Sequence, residues 1–139
     1  MGSYPVSIKG VLLHDGQAVL LKNGRGQWEL PGGRLELGEE PVRTLTREFA
    51  EELALQVAVE APIDCYLFEA VPGRHVFVVA YGCRLAGDFS PQLSDEHLEH
   101  CLCPVDRLGQ LDLPAGYRGS IERWARSQPK AGVREPQGE

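Results

Sequence analysis

The stretch "PGGRLELGEEPVRTLTREFAEEL", residues Pro31 to Leu53, decides how the rest of the chain is read. It opens as a glycine-rich loop and closes as an amphipathic helix that carries Glu48, Glu51 and Glu52 together. Carboxylates three and four residues apart on a helix are neighbours, and each like-charged pair costs roughly 0.2–0.5 kcal/mol. Three such acids therefore ask for something positive beside them. Hard divalent cations of the magnesium class take oxygen ligands and are usually held by one or two carboxylates together with substrate phosphates. One rigid helix supplies those oxygens here, and a carbonyl from the Gly32-Gly33 loop can add another. The helix is expected to start near Glu40 or Pro41, since proline is tolerated in a first turn. Val42, Leu45, Phe49 and Leu53 form its apolar stripe, to pack on a sheet, while the acids face outward. The plainer alternative is a solvated charged face, steadied by Arg47 paired with Glu51 at i and i+4.

Upstream, Val6 to Leu13 and Ala18 to Leu21 are apolar and β-favouring, and Asp15-Gly16 between them predicts a β-hairpin. "NGRGQ", residues 23–27, reads as a loop, followed by a short strand Trp28-Glu29-Leu30 that ends at paired glycines, where the backbone can turn tightly against a ligand. Downstream, Gln56–Glu60, Cys65–Val71 and His75–Leu85 read as strands, the last two joined at Pro72-Gly73. A polar loop over residues 86–96, a strand around Cys101–Pro104 and a helix from about Pro114 to Ser127 that uses Ile121 and Trp124 complete the pattern. The expected architecture is α/β in the α+β sense: a mixed central β-sheet between helices, an α/β/α sandwich. Residues 1–127 are read as one domain, and 128–139, polar and rich in Pro and Gly, as a disordered tail.

At 139 residues the chain has the length of one ordinary core. A net charge of -6 argues against an extended nucleic acid or an anionic membrane as partner. No apolar run approaches the ~20 residues of a membrane span, and the first ten residues lack the pattern of a signal peptide, so a cytoplasmic protein is expected. Cys65, Cys83, Cys101 and Cys103 show no zinc spacing and are read as structural, and His97 and His100 as surface residues. No Gly-Lys-Ser/Thr loop occurs, which removes a P-loop mechanism.

Gly33, five residues, Glu39, seven residues, Arg47-Glu48-Phe49, one residue and Glu51-Glu52 together resemble the Nudix box, and Trp28-Glu29-Leu30-Pro31-Gly32 resembles its usual lead-in. The chain thus resembles a small MutT-like member of the Nudix hydrolase family. One position departs: glycine usually follows the Glu pair by two residues, and Ala54 stands there, at a cost of roughly 1 kcal/mol if a left-handed cap is needed.

The resemblance implies a hydrolase of phosphoanhydrides. Glu48, Glu51 and Glu52 would bind Mg2+ or Mn2+ with the Gly33 carbonyl nearby, Arg47 would orient a glutamate, and Glu39 would hold the loop or join the outer shell of the metal. The general base would be a box glutamate or an acid of the late loop; Glu96 is favoured, with Glu48 and Glu99 as alternatives. Trp28 is a candidate for stacking on a base, and Arg34, with Arg25, for contacting phosphates; Tyr66 and Tyr117 are left undecided as pocket residues. The expected substrate is a small nucleotide, a nucleoside di- or triphosphate derivative, acted on by a monomer or homodimer. An ADP-ribose or nucleotide-sugar pyrophosphatase, a non-catalytic nucleotide-binding module and an isoprenoid diphosphate isomerase are the alternatives; the last is disfavoured because no cysteine precedes the box.

Overall fold

The computed structural model describes residues 2–128. Strands β1 (Val6–His14) and β2 (Gln17–Lys22) form the predicted hairpin, and Asp15 and Gly16 turn it with φ of 52° and 76°. Short β3 (Trp28–Glu29) pairs with β2, and β4 (Gly32–Arg34) pairs with β1. After helix α1 (Pro41–Leu53) come β5 (Val57–Val71) and β6 (Arg74–Leu85), a long hairpin turned at Gly73 with φ of 81°. Strand β7 (Glu99–Pro104) pairs with β2, and a 3-10 turn over Val105–Gln110 leads into α2 (Ala115–Arg126). The seven strands form one sheet along the path β3-β2-β1-β6-β5, with β4 attached to β1 and β7 to β2. Parallel β1 and β6 among antiparallel pairs make it mixed.

Alternation along the strands explains the two layers. On β1 and β2, Ile8, Leu12, Val19 and Leu21 point into a core with Leu45, Phe49 and Leu53 of α1. Their neighbours Val11, Ala18 and Leu20 point the other way, into a core with Tyr117, Ile121 and Trp124 of α2. Near-continuous apolar runs are what a sheet covered on both faces requires. Two glycines let the helices come close: a Cβ at Gly10 would overlap the Phe49 ring, and one at Gly82 the Trp124 indole.

Three expectations are corrected. The strands read as Gln56–Glu60 and Cys65–Val71 are a single strand, because register shifts after Val59 and Pro62 absorb the irregular "EAPID" segment. Pro62 is tolerated because β5 is the sheet edge. Val42 is exposed at the start of α1, and buried Thr44 stands in the helix face that meets the sheet. The acids of α1 do not all look outward, since Glu52 is 5% exposed. Residues 129–139 of the expected tail lie outside the described residues. Among those described, no helix is long and apolar enough to cross a membrane, and the four cysteines are free.

Candidate active site

Helix α1 ends in a left-handed turn at Ala54 (φ 57°, ψ 32°), and the Leu55 amide donates back to the Phe49 carbonyl at 3.3 Å. Alanine thus takes the conformation for which glycine is the cheaper residue. The turn leaves the Glu52 and Leu53 carbonyls to outside donors: the Ser94 amide reaches Glu52 O at 3.1 Å and the Gln92 amide Leu53 O at 2.8 Å. The loop between β6 and β7 is thereby docked on the end of the helix that carries the acids.

The three glutamates part ways. Glu52 turns inward, and its Oε1 accepts the Gly32 amide at 3.0 Å. Burial pushes its carboxyl up to about 7, against the opposing pull of Lys9 and of that amide. The Glu48 side chain is 14% exposed and lies against Gly33, where a Cβ would overlap its carboxylate. Burial raises its pKa too, although Arg47 opposes the shift. Glu51, 57% exposed, faces solvent.

Arg47 organises this helix face. Its Nε and Nη2 donate to both oxygens of Glu39 at 2.9 and 3.0 Å, and its Nη1 donates to Glu48 at 3.2 Å and to Glu51 at 3.1 Å. Thr44 Oγ1 adds a 2.8 Å bond to Glu39. These donors, Arg47 first, hold the Glu39 carboxyl down at about 2, and the same fork raises the pKa of Arg47. Glu39 therefore anchors the loop before α1 to the middle of the helix.

On the other side of β4 a cavity of about 800 Å³ opens. Its lining sets Lys9, Arg25, Arg34 and Arg74 against one carboxylate, Glu29, with Phe68 and Tyr117 as an aromatic wall, the two rings 5.2 Å apart. Lys9 sits in β1 opposite Gly32, is 7% exposed, and donates from Nζ to the Leu30 carbonyl at 3.0 Å. Glu29 Oε2 lies 2.8 Å from Nε2 of His97, whose side chain is 7% exposed. Burial alone would raise the Glu29 pKa, but the His97 hydrogen bond, Lys9 and Asn23 bring it below its usual value. The same hydrogen bond raises the pKa of His97.

Of the residues singled out in the sequence, the structure gathers Gly33, Glu39, Arg47, Glu48, Glu51 and Glu52 around α1, and places Arg34, Arg25 and Tyr117 in the cavity wall. Trp28 packs against the α2-side core, with Lys22 over its ring at 5.3 Å, and is not part of that wall. Tyr66 packs into the same core. Glu96 is exposed, two residues beyond the docked Ser94, and Glu99 pairs with Lys22 at 3.5 Å. The surface position expected for His97 is overturned by its buried pairing with Glu29. Lys9, Glu29 and His97 escaped the sequence reading as site residues. Only a lysine amid the apolar run of β1 hinted at the first of them.

Among the described residues no three His, Cys, Asp or Glu side chains converge closely enough to hold a metal ion. Glu48 and Glu51 share Arg47 Nη1, while Glu52 is tied to the Gly32 amide. The chemistry of the donor set nevertheless fits a hard divalent cation: the donors are oxygens alone, and in Glu48 and Glu52 burial disfavours the charged form, a penalty that a cation beside them would relieve.

Comparison with known proteins agrees with this arrangement. The model of the NUDIX domain matches residues 4–124. A Mycobacterium tuberculosis protein provisionally named 8-oxo-dGTP diphosphatase 2 is 32% identical over 86% of this chain and 84% of its own length. A MutT-like protein of Streptomyces ambofaciens is 30% identical over 73% of this chain, which spans 65% of that longer relative. The crystal structure of a MutT protein from Methanosarcina mazei Go1 superposes with a TM-score of 0.77 at 26% identity, covering 91% of this chain and 96% of that one. A box whose acids, arginine and glycines meet around one helix, in a mixed sheet between two helices and under a family model that spans most of the sequence, makes this chain a member of the Nudix family and a hydrolase of that family.

Proposed function

We propose that the protein is a divalent-metal-dependent pyrophosphohydrolase that cleaves a nucleoside di- or triphosphate derivative by attack of water on a phosphoanhydride. The observation that carries this reading is the pairing of two half-buried or buried acids, Glu48 and Glu52, with an adjoining cavity whose lining is four cations to one carboxylate in a protein of net charge -6. A small polyanion is drawn to such a cavity, whereas the molecule as a whole repels long ones. The names of the relatives from Mycobacterium tuberculosis support a purine nucleoside triphosphate as the first substrate to try.

In this reading Glu48, Glu51 and Glu52 hold Mg2+ or Mn2+ with help from the Gly33 backbone. When bound, the ion supplies charge neutralisation of the diphosphate oxygens and a more acidic water. Arg47, anchored by Glu39, keeps Glu48 and Glu51 pointed toward each other, and Arg34 and Arg25 receive phosphate oxygens at the cavity rim. Glu96 takes the water's proton from its loop over the end of α1, with Glu48 as the alternative base. Residues 1–127 act as one catalytic unit in the cytoplasm, as a monomer or homodimer, on a small-molecule substrate.

The test is a panel of nucleoside di- and triphosphate derivatives, ADP-ribose and nucleotide sugars included, with Mg2+ or Mn2+ and product identification. At least one should be cleaved, EDTA should abolish turnover, and Glu48→Gln, Glu51→Gln and Glu52→Gln should each lower kcat by about 100-fold or more while the circular dichroism spectrum stays unchanged. Wild-type rates in all three variants would remove the chemistry from this helix. Glu96→Gln should lower kcat by about 100-fold while leaving metal affinity unchanged; an unaltered kcat moves the base to Glu48.

A further inference from the structure

Lys9 is a cation that the box chemistry does not use. It lies in the middle of β1, 7% exposed, and its ammonium stands over the Tyr117 ring, with Nζ 5.8 Å from the centroid. An ammonium carries three N–H donors, and among the described residues Nζ makes one hydrogen bond, to the Leu30 carbonyl. A buried charge with unmet donors is costly unless something compensates it. Lys9 also lines the floor of the cavity, whereas Arg25, Arg34 and Arg74 are exposed at its rim. Its register partner is Gly32, the residue whose amide holds Glu52, so Lys9 stands where the cavity meets the acidic helix.

We propose that Lys9 is a substrate-binding residue whose ammonium receives phosphate oxygens of the bound nucleotide on the cavity floor, opposite the carboxylates of α1. The proposal rests on the pyrophosphohydrolase reading above. It divides the labour among the cations: exposed arginines steer an anion to the mouth, and the buried lysine, already desolvated and ordered, holds it. Glu29 faces the same cavity and, fixed by His97, keeps a compensating negative charge near Lys9 in the free protein.

The experiment is calorimetric titration in EDTA, where turnover is absent, with the nucleotides, ADP-ribose and nucleotide sugars of the panel above, and in Mg2+ with the α,β-methylene analogue of ADP, which holds no P–O–P link to cleave. Lys9→Gln keeps a donor for the Leu30 carbonyl and removes the charge; Lys9→Met serves as the second variant, and thermal melts show that each is folded. Affinity should fall roughly 10- to 100-fold in both variants, in EDTA as well as in Mg2+, while Lys9→Arg stays within about fivefold of wild type. Arg34→Gln should weaken binding only a few fold and lose most of that effect in high salt. If wild type binds one of these compounds and the Lys9 variants bind it equally well, the lysine is structural and the proposal is overturned while the pyrophosphohydrolase reading stands. Wild-type protein that binds none of the panel in EDTA and no α,β-methylene-ADP in Mg2+ overturns both.

Discussion

Ala54 and Glu52 show how single residues trade stability for position. Ala54 holds a left-handed conformation that costs an L residue roughly 1–2 kcal/mol, part of which glycine returns through its freer unfolded state. Ala54→Gly should therefore stabilise the protein by about 0.5–1 kcal/mol in urea unfolding, without altering turnover. Glu52 is the opposite case. A carboxyl whose pKa rises from 4.5 to about 7 on folding is favoured in its protonated form, so its burial costs nothing below the unfolded value. The cost then grows with pH and is complete above the folded value. In EDTA, Glu52→Gln should match wild type in unfolding free energy near pH 4 and exceed it by roughly 1–3 kcal/mol near pH 8.5. Equal stabilities at both pH values would show that the acid is better solvated than its 5% exposure implies.

At the scale of elements, the late loop matters most. Its amides cap the last carbonyls of α1, its Leu98 amide reaches the Lys22 carbonyl at 3.1 Å, and His97 clamps Glu29 of β3. The loop thereby joins the acidic helix to the cavity wall. The His97–Glu29 pair gives the joint a pH signature. Raised above 6.5 in the fold, His97 contributes stability that is present below 6.5 and lost as pH climbs through its folded value. Glu29, lowered below 4.5, contributes above 4.5 and loses that contribution as pH falls through its folded value. The pair is therefore strongest between 4.5 and 6.5. Because the Glu52 carboxylate also raises the pKa of His97, the comparison belongs in a Glu52→Gln background, where the difference in melting temperature made by His97→Gln should be greatest in that window and shrink toward about pH 9. A constant difference across the range would mean that the imidazole bonds as a neutral group throughout.

For the whole molecule, a net charge of -6 and a cavity with a cationic lining make opposite demands on an anionic substrate. Association should depend on the local field of exposed Arg25, Arg34 and Arg74, which salt screens, more than the chemical step does. Raising NaCl from about 50 mM to about 500 mM should increase KM several fold while kcat changes by less than about twofold. A kcat that falls in parallel would place the salt-sensitive step inside the site.

Much of this organisation was legible along the chain. Local rules sufficed for the β1–β2 hairpin, because Asp-Gly is the preferred pair for a turn with two positive φ values, and for α1, because Pro41 and the spacing of Leu45, Phe49 and Leu53 are properties of one helix. The box spacing likewise brought Gly33, Glu39, Arg47 and the three glutamates to notice together, since the loop and helix that carry them are contiguous. Tertiary structure alone decided the rest. Whether Glu52 points to solvent or to the Gly32 amide depends on where the sheet lies beneath α1, and the continuity of β5 depends on the partner strand that absorbs its bulges. Lys9, Glu29 and His97 stand far apart in sequence, on β1, β3 and the late loop, and no local periodicity relates them. Spacing along a chain reports which residues share an element, whereas burial and long-range pairing arise only when elements pack, and it is their mutual pairing, against the pull of burial, that lowers the pKa of Glu29 and raises that of His97.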